Sequence, residues 1–234
     1  MKTTNIQMMT GTKIELAEAA AKPGASRIPL WLKLGFTGFM AVLLPVYWKN
    51  YGPTNFLYFC DVALLLTLAA LWMENALLAS MAAVGILVPQ FFWCVDFGAH
   101  LFGLNPIGMT AYMFDSSRSL FLRGLSLFHG WLPFLLVFIV ARLGYDKRAL
   151  KNWTLLAWAL VTICFFFMPP AGAHLANPQT PRNINYVYGF NDDAPQTWMS
   201  AHAWFALMFA ALPVVFYLPT HAVLKRLCKP AVVR

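Results

Sequence analysis

Six long apolar segments constrain the fold of this chain more than any other feature of its sequence. They lie at residues 30–48, 54–73, 76–102, 119–142, 152–169 and 199–219. A membrane-spanning helix needs about 20 mostly apolar residues, and these segments have about that length. Strands are not expected, because an open sheet edge cannot be satisfied in hydrocarbon. We therefore expect an all-α fold, a polytopic membrane helix bundle with about six transmembrane helices.

The composition supports this expectation. Of the 234 residues, 60% are hydrophobic and only 11% are charged, whereas a soluble domain has about a quarter of its residues charged. The net charge of +8 lies in short clusters between the apolar segments, as in membrane proteins. No basic face with interleaved aromatic residues is present, so we do not expect nucleic-acid binding.

The distribution of basic residues predicts the orientation in the membrane. Thirteen of the seventeen fall on one predicted side: Lys2, Lys13, Lys22, Arg27, Lys33, Arg142, Lys147, Arg148, Lys151, Lys225, Arg226, Lys229 and Arg234. The other four are Lys49, Arg118, Arg123 and Arg182. The positive-inside rule then places both termini in the cytoplasm of a multi-pass protein, with a bacterial cytoplasmic membrane as its location.

Three regions follow from this topology. Residues 1–28 form a cytoplasmic N-terminal segment, residues 29–222 a six-helix transmembrane domain, and residues 223–234 a basic cytoplasmic tail. Aromatic residues near the span ends are interpreted as anchors at the membrane interface. These are Tyr47, Trp48, Tyr51, Trp198, Trp204 and Tyr217.

Polar residues within the spans concentrate in the outer half of the predicted bilayer. They are Asn55, Cys60, Asp61, Gln90, Asp96, His100, His129, Ser200 and His202. Ionisable groups inside a membrane are costly and indicate function by default. A shared depth predicts a polar cavity that opens toward the outer leaflet, with membrane lipids as the partners.

Structural explanations exist for several of these residues. Asn55 and Gln90 are suited to hydrogen bonds between helices. Asp96 and His100 are four residues apart on one helical face, so they are able to pair with each other, support a catalytic group or bind a metal. His202 lies near the membrane surface, where it is also explained as a solvated interfacial residue.

Cys60 and His129 form the candidate catalytic pair. A thiolate is the reactive form of cysteine and needs a nearby base, and His129 lies at a similar depth on another helix. Asp61 follows Cys60 and should point about 100° away on the helix, so we expect it to orient a base rather than contact the sulfur. Asn55 or Asn185 is a candidate donor to an oxyanion.

Three stretches resemble the YwaF-like integral membrane proteins of bacteria, whose eukaryotic relatives include a transmembrane phospholipid acyltransferase. They are PTNFLYFCDVALLL (53–66), FLRGLSLFHGWLPFLLVF (121–138) and a region from NINYVYGF to FYLP (183–219). The resemblance implies that Cys60 is an acyl-transfer nucleophile and His129 its base. The sequence differs from the family pattern in having Asn55 where a histidine is frequent, and in a longer charged loop.

Three functions remain open from the sequence. The first is a lipid acyltransferase or acyl hydrolase that uses Cys60 and His129. The second is a non-catalytic lipid- or quinone-binding, scaffold or assembly protein. The third is a metal-dependent membrane hydrolase that uses Asp96, His100, His129 and His202, although only the first two have a supporting spacing. No cofactor and no bound metal are predicted.

Overall fold

The computed structural model describes residues 26–104 and 106–231, and this part of the chain is helical with no β-strand. Six helices follow the six apolar segments. They are α1 (Leu30–Tyr51), α2 (Phe59–Met73), α3 (Ala76–Leu101), α4 (Leu120–Leu143), α5 (Ala149–Phe167) and α6 (Ala201–Leu227). All except α2 are long and apolar enough to cross a membrane. The expected polytopic helix bundle is confirmed.

Helix α2 is short because the residues just before it form a 3₁₀ turn rather than α-helix. It has 15 residues, which span about 22 Å at 1.5 Å per residue, less than the ~30 Å hydrocarbon core. A turn of 3₁₀-helix, Pro53–Leu57, precedes it and follows Gly52, whose φ is 83°. Asn55 therefore lies in a non-α turn, and Cys60 lies in the first α-helical turn that follows it.

Two other helices are interrupted. Within α4, regular α-helix ends at Leu125 and resumes at Phe128, leaving Ser126 and Leu127 between the two parts. Helix α6 contains a π-helical stretch, Leu212–Tyr217. Pro213 lies in this stretch, and its lack of a backbone N–H accounts for the change in hydrogen bonding.

Helix α3 lies in the centre of the bundle and contacts α2, α4, α5 and α6. Its first half is built from small buried residues: Ala79, Ser80, Ala82, Ala83 and Gly85. Small residues let neighbouring helix backbones approach closely in a membrane, where packing rather than water exclusion holds helices together. This half of α3 therefore packs closely against its neighbours.

Contacts between the connecting segments divide them into two sides. One side, called the tail side because α6 ends there, carries two such contacts. Glu74 between α2 and α3 binds the chain just before α1, and the backbone N–H of Tyr145 donates to the carbonyl of Lys229. On the loop side, Arg118 donates to the hydroxyl of Tyr51. The start of α1 and the end of α6 thus lie on the same side, as an even number of spans requires.

The predicted regional boundaries stay predictions. Most of the N-terminal segment 1–28 lies outside the described residues, as do residues 232–234. Helix α6 continues to Leu227, so the first five residues of the predicted tail 223–234 are helical.

Candidate functional site

The polar site begins with three residues at the start of α2. Asp61 is buried, with only 3% of its surface exposed. Its Oδ2 accepts hydrogen bonds from Asn55 Nδ2 at 3.3 Å and from the Cys60 thiol at 3.6 Å. Its Oδ1 is also buried and has no hydrogen-bond partner among the described residues. One carboxylate oxygen thus joins the three residues, while the other is buried without a partner.

The expectation that Asp61 would not contact the Cys60 sulfur is wrong. It assumed a regular helix, in which consecutive side chains diverge by about 100°. Both residues lie in the first turn of α2, and the carboxylate of Asp61 lies toward Asn55 in the preceding 3₁₀ turn. This direction brings its Oδ2 beside the sulfur.

Asn185 holds the chain at the start of α2. Its Nδ2 donates to the carbonyl of Leu57 at 2.9 Å, and its Oδ1 accepts from the backbone N–H of Phe59 at 3.0 Å. The same Nδ2 lies 3.6 Å from the sulfur of Cys164. Backbone groups outside an α-helix must find partners at membrane depth, and Asn185 supplies them. Its amide is therefore occupied by groups that hold the fold, and the oxyanion role predicted for Asn55 or Asn185 stays a prediction.

Tyrosine hydroxyls lie in the same region as the Asp61 carboxylate, but none is hydrogen-bonded to it within the described residues. Its charge acts on the hydroxyls of Tyr47, Tyr51 and Tyr58. The Tyr47 hydroxyl is hydrogen-bonded to Ser126 Oγ at 2.7 Å. Helices α1 and α4 therefore contribute polar groups to the same region as α2.

His129 is held on α4 by contacts that leave one ring nitrogen free for chemistry. Its Nδ1 lies 2.7 Å from the carbonyl oxygen of Ser126. A carbonyl only accepts, so Nδ1 carries the proton and Nε2 carries the lone pair of a base. The ring stacks on Trp93, with centroids 4.8 Å apart, and on Phe128, with centroids 4.0 Å apart.

Ser126 and Trp93 connect His129 to the Asp61 region. Ser126 binds His129 through its carbonyl and Tyr47 through its hydroxyl. Trp93 stacks on the ring of His129 and donates its Nε1–H to the hydroxyl of Tyr112 at 3.2 Å. Within the described residues no hydrogen bond joins His129 directly to Cys60, and the catalytic pairing of these two residues stays a prediction.

Asp96 organises a loop. It is fully buried, and its two oxygens accept hydrogen bonds from the backbone N–H groups of Ile107, Gly108 and Thr110 and from the hydroxyl of Thr110, at 2.7–3.2 Å. Since these four donors occupy the carboxylate, Asp96 does not pair with His100. His100 instead stacks on Phe114, with centroids 4.0 Å apart.

His202 is exposed on α6. Its ring packs against Phe165 in a T-shaped arrangement, with ring centroids 5.4 Å apart. Phe165 belongs to a cluster with Ile184 and Trp204, and no hydrogen bond joins His202 to Asp61 in the described part of the chain. Residues 26–104 and 106–231 contain no cluster of three or more His, Cys, Asp or Glu side chains arranged as metal ligands. The metal-dependent alternative therefore gains no support from geometry.

Several residues of the site were not predicted from the sequence. Tyr47 and Tyr51 were interpreted as interface anchors, but both are buried, as are Trp204 and Tyr217, whereas Trp48 and Trp198 are exposed as expected. Ser126, Trp93 and Tyr112 were not identified. Ser126 could have been identified from the sequence, because it precedes His129 by less than one helical turn and lies at the same depth.

In comparisons with known proteins, the chain matches no family model, no curated protein and no solved structure. The resemblance to YwaF-like proteins therefore stays a prediction. The site has to be interpreted from its own geometry.

Proposed function

We propose that this multi-pass membrane protein transfers or hydrolyses acyl groups of membrane lipids, with Cys60 as the nucleophile. The observation that supports the proposal is the buried Asp61 carboxylate, whose Oδ2 accepts a hydrogen bond from the Cys60 thiol and whose Oδ1 has no partner among the described residues. A buried carboxylate with an open oxygen is costly in a membrane. A catalytic or binding role explains why it is tolerated.

The reaction proceeds by two acyl transfers. The Cys60 sulfur attacks the carbonyl carbon of a lipid ester while its proton passes to a base, and the C–O bond breaks as that proton passes to the leaving alkoxide. The product of this step is a thioester and a free alcohol. A second alcohol, or water, then attacks the thioester, and its proton returns to the Cys60 sulfur as the new ester or acid leaves.

Two groups are suited to carry the proton. Asp61 is in contact with the thiol, and proton transfer between them leaves the total charge of the pair unchanged, so it does not add a second buried charge. His129 presents an Nε2 lone pair and is the second candidate base. Asn55, which donates to Asp61, is the candidate oxyanion donor.

A thiol-directed, lipid-soluble acyl probe tests this proposal. We expect the probe to label Cys60 faster than Cys94 and Cys164, and Cys60→Ser to abolish the preferred label. Asp61→Asn and His129→Ala should each slow labelling of Cys60, while the exposed His202→Ala serves as the matched histidine control. Labelling of Cys60 at the rate of Cys94 would exclude it as the nucleophile.

A non-catalytic binding role is the second candidate. It is favoured by the buried Asp61 Oδ1, which has no partner among the described residues and would accept a hydrogen bond from a quinol or a lipid headgroup without any nucleophile. In that case Asp61→Asn should weaken ligand binding, whereas Cys60→Ser should leave it unchanged. Measuring bound lipid and quinone in the two purified variants separates the candidates.

A further inference from the structure

An apolar groove lies on the outside of the bundle, between α3 and α6, and the proposed site does not use it. It has a volume of about 240 Å³ and is lined by Leu87, Val88, Phe91, Pro219, Thr220, Val223 and Leu224. The lining is almost entirely apolar. The groove has room for a segment of one acyl chain.

Contacts on the tail side fix the depth of the groove. The backbone N–H of Asp146 donates to Ser80 Oγ, and that of Tyr145 donates to the carbonyl of Lys229, so Ser80 and Lys229 lie near one level. The α3 part of the groove begins seven residues after Ser80, and the α6 part ends five residues before Lys229. At 1.5 Å per residue both lie roughly 8–16 Å above that level, within the tail-side half of a ~30 Å core.

Basic residues stand at the end of the groove nearest the tail side. Arg226 follows Val223 by three residues and therefore lies on the same face of α6, one turn closer to the surface. Lys225 on α6 and Lys147 before α5 both lie close enough to His221 for their charges to act on it. None of these three cations forms an ion pair within residues 26–104 and 106–231.

We propose that the groove binds an anionic phospholipid of the tail-side leaflet, with an acyl chain along α3 and α6 and the phosphate at Arg226. The apolar lining excludes a polar occupant, since burying an unpaired polar group costs free energy. The cations at the end of the groove nearest the tail side select a negative headgroup over a zwitterionic one. Their depth matches the headgroup region. A second copy of this chain is disfavoured as the occupant, because pairing the same surfaces would place like charges together at this end.

Binding to purified protein in neutral detergent tests the charge preference. We expect native mass spectrometry to retain phosphatidylglycerol in preference to phosphatidylcholine. Arg226→Gln should weaken phosphatidylglycerol binding about fivefold, the effect of one basic residue near an anionic surface. Lys49→Gln, an exposed lysine on the loop side, is the matched control and should not change it. Equal retention of the two lipids, or equal effects of the two variants, would overturn the proposal.

The position of the acyl chain is tested separately. Val223 is 52% exposed, so Val223→Trp should fill the groove without disturbing the core and should lower retention of phosphatidylglycerol. Val214→Trp, at an equally exposed position on the same helix, should not. A phosphatidylglycerol with a photoreactive group on its acyl chain should crosslink wild-type protein at residues 87–91 and 219–224. Uniform crosslinking over the lipid-facing surface, or crosslinks between two copies of the chain, would contradict the proposal.

Discussion

Trp153 of α5 lies directly against Gly85 of α3, so that a Cβ atom on Gly85 would overlap Cε2 and Cζ2 of the indole. Trp153 is fully buried. The contact ties α5 to the central helix of the bundle. The absence of a side chain at Gly85 is therefore a packing requirement rather than a conformational one.

Gly85→Ala is expected to destabilise the protein by about 1–3 kcal/mol, the usual cost of overpacking a dense core. The free energy of unfolding in detergent, or the thermal midpoint, measures the effect. Gly98→Ala on the same helix is the control, because a Cβ there meets nothing within 4 Å and alanine favours helix. Equal behaviour of the two variants would show that α5 does not pack on α3 in this way.

Glu74 should stabilise the tail side in a pH-dependent manner. It lies between α2 and α3 and accepts hydrogen bonds from the hydroxyl of Ser26, the backbone N–H groups of Arg27 and Ile28, and the ammonium of Lys33. Partial burial acts to raise the pKa of this carboxyl, but the hydrogen bonds from Lys33, Ser26 and the backbone outweigh it and lower the pKa from 4.5 to about 2.

Because the folded pKa of Glu74 is lowered, its contribution is complete above about pH 4.5 and is lost as the pH falls toward 2. Glu74→Gln should therefore reduce stability by about 1–3 kcal/mol at pH 7, with a smaller difference from wild type at pH 3. Asp193→Asn is the contrast, since the Asp193 side chain is 81% exposed in its ion pair with Arg182 and such pairs contribute little. A difference independent of pH would contradict the ionised form of Glu74.

Asp96→Asn should loosen the loop at residues 107–110 while the helices remain folded. The substitution replaces one carboxylate oxygen with a donor that faces N–H or O–H groups, so one pair of hydrogen bonds is lost. Faster proteolysis within the loop between α3 and α4 is the expected result. His100→Ala should have a smaller effect, because His100 makes no hydrogen bond to Asp96. An equal effect would support the alternative that Asp96 and His100 pair with each other.

The orientation of the bundle is a separate prediction. The tail side carries Arg27, Lys33, Arg142, Lys147, Arg148, Lys151, Lys225, Arg226 and Lys229 among the described residues, against Lys49, Arg118, Arg123 and Arg182 on the loop side. The positive-inside rule then predicts that a reporter fused after Arg234 is active in the cytoplasm. Activity of the reporter only across the membrane would reverse the leaflet assignments.

The sequence predicted the helices well because their length and apolarity follow directly from bilayer thickness. It predicted the start of α2 poorly, because that structure depends on Asn185, more than 120 residues away. The burial of Tyr47 likewise depends on its partner Ser126 on α4. The positions of Asp61, Cys60 and His129 within the apolar segments predicted that they lie at one depth. Which of their side chains are in contact depends on tertiary structure, which the spacing of residues in the sequence does not predict.

Asn185 provides the sharpest test of how the site is built. Its φ of 59° is in the left-handed region, which asparagine tolerates better than most residues. In Asn185→Leu the carbonyl of Leu57 and the N–H of Phe59 lose their partner at membrane depth, at a cost of about 1–3 kcal/mol for each group. The strain of a positive φ at leucine adds to this cost. We expect a large loss of thermal stability and a changed reactivity of Cys60, which follows Phe59 directly.

Asn177→Leu is the matched control for this substitution. The Asn177 amide also reaches across the chain, to the carbonyl of Asn50 at 3.1 Å, but it does so on the exposed surface, where water replaces the lost hydrogen bond. Its thermal stability and Cys60 labelling should stay near wild type. If Asn185→Leu changes stability without changing the labelling rate, then Asn185 supports the fold but does not position Cys60. If neither quantity changes, the start of α2 is not held by Asn185.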